Sequence, residues 1–209
     1  MLKFKFKKRK GFTLVEMTTV VFLSVLVIIG GYGIYIISVK SYRYNTQYSE
    51  LTQNARIALE RMSRDIRQSM EIVTTLPPDP GSGTPPSEIK FQDGHNFWPG
   101  PTSSPTPLPS VSSTGGKIQY ITYFLDGTDL HRKVSHYAFT ATPTEWVVWS
   151  AHDLGGNPPQ EFADSDDIKS QMVTNLQFWG INNITIHLTV SDGTNTQVFE
   201  TQSLGRNIQ

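Results

Sequence analysis

Glu16 is the one charged residue among the side chains from 12 to 39, a stretch dominated by Val, Ile, Leu, Met and Phe. An unpaired carboxylate at mid-membrane depth costs about 2.5–3.5 kcal/mol or more. Two arrangements relieve that cost: a cation supplied by another chain or by a newly exposed amino terminus, or a position at the interface where the carboxylate snorkels into headgroups. The other candidates for chemistry are weaker. His95, His131, His136, His152 and His187 fall in expected loops and strands, with no H-x-x-x-H pair on a helix and no carboxylate at ligand spacing. Asp164, Asp166 and Asp167 make the tightest acidic cluster. Oxygen ligands at alternate positions suit calcium, but the glycine and terminal glutamate of an EF-hand loop are missing, so a solvated acidic turn without a metal is the expectation. There is no G-x-S-x-G elbow, P-loop or G-x-G-x-x-G. The absence of cysteine excludes thiolate ligands, a cysteine nucleophile and disulfides together. No catalytic residue and no cofactor are therefore assigned, and an enzyme is not expected. Asn183-Ile184-Thr185 has glycosylation-acceptor form but lies in an expected strand.

The element that must position Glu16 begins with a basic leader. Lys3, Lys5, Lys7, Lys8, Arg9 and Lys10 are six of the eighteen basic residues, so the formal charge of zero hides twelve basic against eighteen acidic residues from Gly11 onward. Residues 17–39 are 23 consecutive uncharged positions. At 1.5 Å per residue a helix over them covers about 34 Å, against a hydrocarbon core of about 30 Å. The leader outweighs Lys40 and Arg43 beyond the span, which predicts a cytoplasmic amino terminus and an exported remainder. A cleaved signal peptide shares the basic start, but its apolar region runs about 7–15 residues to a small-residue cleavage site. This run is longer and leaves through Ile36-Ile37-Ser38-Val39-Lys40.

Lys8-Arg9-Lys10-Gly11-Phe12-Thr13-Leu14-Val15-Glu16 resembles the class III signal of type IV prepilins and type II secretion pseudopilins. The resemblance implies a prepilin peptidase cut between Gly11 and Phe12, methylation of the new Phe12 amine, and a mature chain of 198 residues, the 209 less the first eleven. It also implies that Glu16 compensates the Phe12 amine of a neighbouring subunit when helices pack. The family usually has a proline at the twenty-second mature position, where this chain has Gly33, accompanied by Gly30 and Gly31. Glycine costs about 1 kcal/mol relative to alanine in a helix interior, so the three predict a weak point. They serve equally well as a small-residue surface for close helix packing.

Beyond the span the polar content rises while helical spacing persists. Tyr44, Tyr48, Leu51, Ala55, Ala58, Leu59, Met62, Ile66, Met70 and Val73 recur at three- and four-residue intervals, predicting one helix over 12–73, with 12–39 in lipid and 40–76 amphipathic. Glu60 and Arg64 add an i,i+4 pair. Arg56, Arg61, Arg64 and Arg67 read as spread around that helix among acidic residues, a solvated surface or a set of inter-subunit contacts rather than a nucleic-acid stripe. Residues 77–116 hold ten of thirteen prolines and six of sixteen glycines, predicting loop or linker with one short strand over 88–91 and Phe97-Trp98 pinning it to the core. From residue 117 the pattern is β. It predicts a strand over 118–125, an Asp126-Gly127 hairpin returning over 130–134, a strand over 145–149, and a second hairpin of 183–190 and 196–204 around Asp192-Gly193. A helix first and strands later indicate α+β, with a long amino-terminal helix packed on an antiparallel β-sheet head.

The head carries a looser likeness. The hairpin from Tyr120 to Arg132 and the closing Leu204-Gly205-Arg206-Asn207 are similar to minor pilins and pseudopilins of the J or W type. The resemblance implies a structural subunit of a type IV pilus or type II secretion pseudopilus, stored in the cytoplasmic membrane with its head outside. Its partners would be the prepilin peptidase, other pilin subunits, the inner-membrane assembly platform and membrane lipid. A major pilin and a membrane-anchored binding or adhesin module are the alternatives. From Val73 on, six basic residues face thirteen acidic ones, which disfavours direct nucleic-acid contact by the head.

Overall fold

A computed structural model describes residues 11–94 and 118–205. The basic leader, His95, Phe97, Trp98, Lys117 and the closing Arg206-Asn207 lie outside the described residues. The described residues are α+β: one helix, α1 (Leu14–Gln68), and nine strands in two antiparallel sheets. The chain divides at Gln47 and Tyr48 into two compact units.

The first unit is helical and apolar on all sides. Phe12, Leu14, Val20, Phe22, Leu26, Ile29, Ile34 and Ile37 are all exposed, and this part of α1 is long and apolar enough to cross a membrane. Three hydroxyl groups of its apolar part are satisfied within the helix. Thr18 and Thr19 donate to the carbonyl of Val15, and Ser24 to that of Val20, at 2.8–3.0 Å. Such back-bonding satisfies polar side chains that hydrocarbon would otherwise penalise.

The second unit starts where α1 becomes amphipathic. Leu51, Ala55, Ala58, Leu59, Met62 and Ile66 form its buried stripe, as the three- and four-residue spacing predicts. The expected partners at either end differ. Tyr44 and Tyr48 are exposed, and the helix stops at Gln68, before Met70 and Val73. The Ser69 hydroxyl donates to the Ile66 carbonyl at 2.7 Å, and the Met70 amide turns to the carbonyl of Gln92. Glu71 and the β-branched Ile72 then enter a sheet instead of prolonging the helix.

The first sheet runs β1 (Glu71–Ile72), β2 (Ile89–Gln92), β3 (Tyr120–Asp126), β4 (Asp129–Phe139) and β5 (Thr142–Val147), with β6 (Gln160–Ser170) also on β4. The second is β7 (Val173–Trp179), β8 (Asn183–Ser191) and β9 (Thr196–Leu204). Strands expected at 88–91, 118–125, 130–134 and 145–149 thus appear with shifted or longer bounds, while β1, β6 and β7 were not anticipated and one expected sheet is two. The α1 stripe packs in one core with Ile89, Phe91, Ile121, Tyr123 and Leu130 of the first sheet and Leu176, Phe178, Ile184, Ile186 and Leu188 of the second. Both Asp-Gly hairpins form. Gly127, at φ 61°, takes the first central position of a two-residue turn, where a II′ geometry needs positive φ. Gly180, at φ 113°, links β7 to β8, and a Cβ there would collide with the Asn183 carbonyl.

Candidate functional site

Gly11, Phe12 and Thr13 precede the helix, and Glu16 lies in its first turn. The Thr13 amide donates to Glu16 Oε2 at 2.8 Å and the Thr13 hydroxyl to the same oxygen at 3.0 Å. In return the Glu16 amide donates to Thr13 Oγ1 at 3.3 Å. This reciprocal pair is a capping box, which satisfies amides that the start of any helix leaves without partners. Its sequence signature, Thr-x-x-Glu before an apolar run, is present in Thr13-Leu14-Val15-Glu16 and marks Thr13 as the capping partner of Glu16, which the charge argument alone misses. Both Thr13 donors use Oε2. The second carboxylate oxygen, Oε1, accepts nothing among the described residues, so one carboxylate can cap its own helix and still receive a cation.

The same helix passes through Gly30, Gly31 and Gly33 without a break, with open space where each Cβ would stand. Nothing within the first unit therefore requires glycine there on steric grounds.

In the head the polar residues are arranged differently from the expectations. Asp164, Asp166 and Asp167 form no turn; they lie on β6. Nor are the histidines remote from carboxylates, because strand pairing brings them together: His131 Nδ1 lies 2.8 Å from Asp166 Oδ1, and His136 Nδ1 lies 2.9 Å from Asp164 Oδ1. His136 also stacks between Trp146, at 4.1 Å and 7°, and Phe162, at 5.5 Å. These are pairs across one ladder, and among the described residues no three His, Cys, Asp or Glu converge to hold a metal. Asn183 opens β8, in the strand position expected for it.

Two ion networks, one buried and one partly buried, tie the strands of the head together. Asp65 of α1, 6% exposed, accepts from Tyr123 Oη and Arg132 Nε, both at 2.8 Å, and Arg61 lies 3.5 Å from its other oxygen. Burial, reinforced by the Asp65 charge, pushes the Tyr123 phenol upward, so it remains a donor. The second network joins three strands: Lys90 of β2 donates to Glu161 of β6 at 2.6 Å, and Lys133 of β4 lies 3.2 Å from the same carboxylate. Burial alone would raise the Glu161 pKa; the hydrogen bond and charge of Lys90, with Lys133, bring it down to about 2.

No family model, curated protein or solved structure matches this chain. The feature of the chain that bears on function is the geometry around Glu16 and the residues that flank it. That geometry combines three properties: a carboxylate oxygen without a donor, a free approach to it, and an apolar helix able to carry it into a bilayer.

Proposed function

We propose that the chain is a structural subunit of a type IV pilus or type II secretion pseudopilus. On this reading it is released from its basic leader by prepilin peptidase between Gly11 and Phe12, methylated on the Phe12 amine, and drawn from the cytoplasmic membrane into a filament through its amino-terminal helix. The observation that carries the reading is Glu16: one ionised side chain at the head of an all-round apolar helix, with Oε1 still open. A plain anchor gains nothing from that charge. A neighbouring helix that brings a terminal ammonium neutralises it, and away from water that pairing is far stronger than the same contact in solution.

The hairpin β3–β4, the bulky head and the Leu204-Gly205 ending support a minor subunit of the J or W type, and a major pilin is the alternative. Other subunits, the assembly platform and lipid are the partners of either. Mass spectrometry of the mature protein tests the assignment: the expected amino terminus is N-methylated Phe12. An amino terminus at Met1, or one beyond Val39, overturns it.

A further inference from the structure

Among the described residues β1, β5, β6, β7 and β9 each pair on one side only; of these, β6 carries the most charged side chains and β9 lies beside the arginine-bearing face of α1. β6 pairs only with β4, and β9 only with β8. An open edge presents unpaired N–H and C=O groups and templates another strand unless something blunts or covers it.

The two edges are chemically opposite. β6 carries Glu161, Asp164, Asp166 and Asp167 against Lys169, and Asp166 and Asp167 are about half exposed. β9 carries a single charge, Glu200. Beside β9, however, α1 presents Arg56, Arg64 and Arg67, which with Glu60, Ser63 and Thr201 line a groove of about 640 Å³. Arg67 continues it past Gln202 and Leu204. The arginines are therefore not spread around the helix as their sequence suggested. Spacings of four, four and three set Arg56, Glu60, Arg64 and Arg67 on one face, whereas Arg61 faces Asp65. Glu60 takes Arg64 at 3.0 Å, and Arg56 and Arg67 have no ion-pair partner among the described residues.

We propose that β9 of one copy receives β6 of a second copy at its open edge, with one of the half-exposed carboxylates Asp166 and Asp167, which lie on opposite faces of β6, set against the arginine groove. Three observations select this occupant. The parts of the chain outside the described residues contain no Asp or Glu, so none of them is an acidic strand for the groove. Pairing β6 with β6 would set carboxylates against carboxylates, and pairing β9 with β9 would leave both arginine faces without counter-charge; like charges across a ladder are destabilising. Of the three pairings between these two edges, the mixed one satisfies both backbone edges and both charge patterns. Such a contact joins two different surfaces, so it propagates from copy to copy unless the rotation closes a ring. It concerns the head and holds whether or not the bond after Gly11 is cut. It also bears on stoichiometry, since a chain that binds its own kind through two surfaces suits the major-subunit alternative.

The absence of cysteine gives a clean test. Full-length Ser165→Cys and Gln202→Cys, both at exposed positions on β6 and β9, are mixed in detergent and treated with a short bis-maleimide. The expected product is the mixed dimer, with neither variant cross-linking to itself. Arg64→Glu with Arg67→Glu in the β9 partner should lower the yield about tenfold, the ratio equivalent to about 1.4 kcal/mol, and Asp166→Lys with Asp167→Lys in the β6 partner should restore it. Recovery by the double swap excludes misfolding as the cause of the loss. Same-site dimers equal to the mixed product, or a yield indifferent to the arginine reversal, overturn the proposal. The amino-terminal mass of the same preparation reports separately on the filament assignment.

Discussion

A carboxylate placed at the start of a membrane helix has two tasks that the protein's own chemistry can separate. As a cap, Glu16 needs only an acceptor oxygen for the Thr13 donors; as a counter-ion, it needs its charge. Glutamine keeps the first and lacks the second, since either residue completes a capping box. Glu16→Gln should therefore leave helicity and membrane insertion unchanged while filament incorporation falls as far as it does in Glu16→Ala. Thr13→Ala should do the reverse, weakening the first turn by about 1 kcal/mol while sparing incorporation. Immunoblots of membrane and sheared-filament fractions for the three variants check both halves. Normal incorporation of Glu16→Gln would assign the residue to capping alone. The Thr-x-x-Glu spacing was fully legible in the sequence, but it supports both tasks at once, and only the distribution of donors over the two oxygens shows that they are compatible.

At the scale of elements, the attachment of α1 to the sheets depends on more than its apolar stripe. Asp65 sits on the buried side and takes Tyr123 of β3 and Arg132 of β4, so one carboxylate ties the helix to both strands of the hairpin. Removing one partner of a buried ion pair leaves the other uncompensated, at a typical cost of about 3–5 kcal/mol. Asp65→Ala should thus lower the head's stability by about that amount in urea denaturation, and Arg132→Met combined with it should recover part of the loss. Neither contact was readable from sequence, because Asp65 and Arg132 are 67 positions apart and each has a nearer candidate partner. The helix register, by contrast, was readable over 51–66, and both hairpins announced themselves through Asp-Gly turns. The missed strands share a physical reason. β6 is an edge strand with polar side chains on both faces, so no alternation marks it. In β7 a register shift between Val173 and Asn175 interrupts the two-residue period of its buried residues. The overlong helix arose because Met70 and Val73 extend the apolar spacing across a chain reversal that Ser69 and Gln92 impose.

For the head as a whole, the strands are locked by charge as well as by pairing, and that makes its stability depend on pH in a calculable direction. Glu161 joins β6 to Lys90 of β2 and Lys133 of β4, and its folded pKa of about 2 lies below its ordinary value near 4.5. A carboxylate depressed on folding contributes stability that is fully present above its unfolded pKa and is lost as the pH falls through the folded one. The Glu161 contribution should accordingly be constant from pH 7 to about pH 5, then decline between pH 4.5 and pH 2 as the unfolded chain takes up the proton first. Comparison with Glu161→Gln isolates it from the other carboxylates. The difference in urea midpoint between the two proteins should be largest at neutral pH and shrink toward zero near pH 2. A difference that does not change with pH would mean that Glu161 acts through packing or neutral hydrogen bonds rather than through its ion pairs.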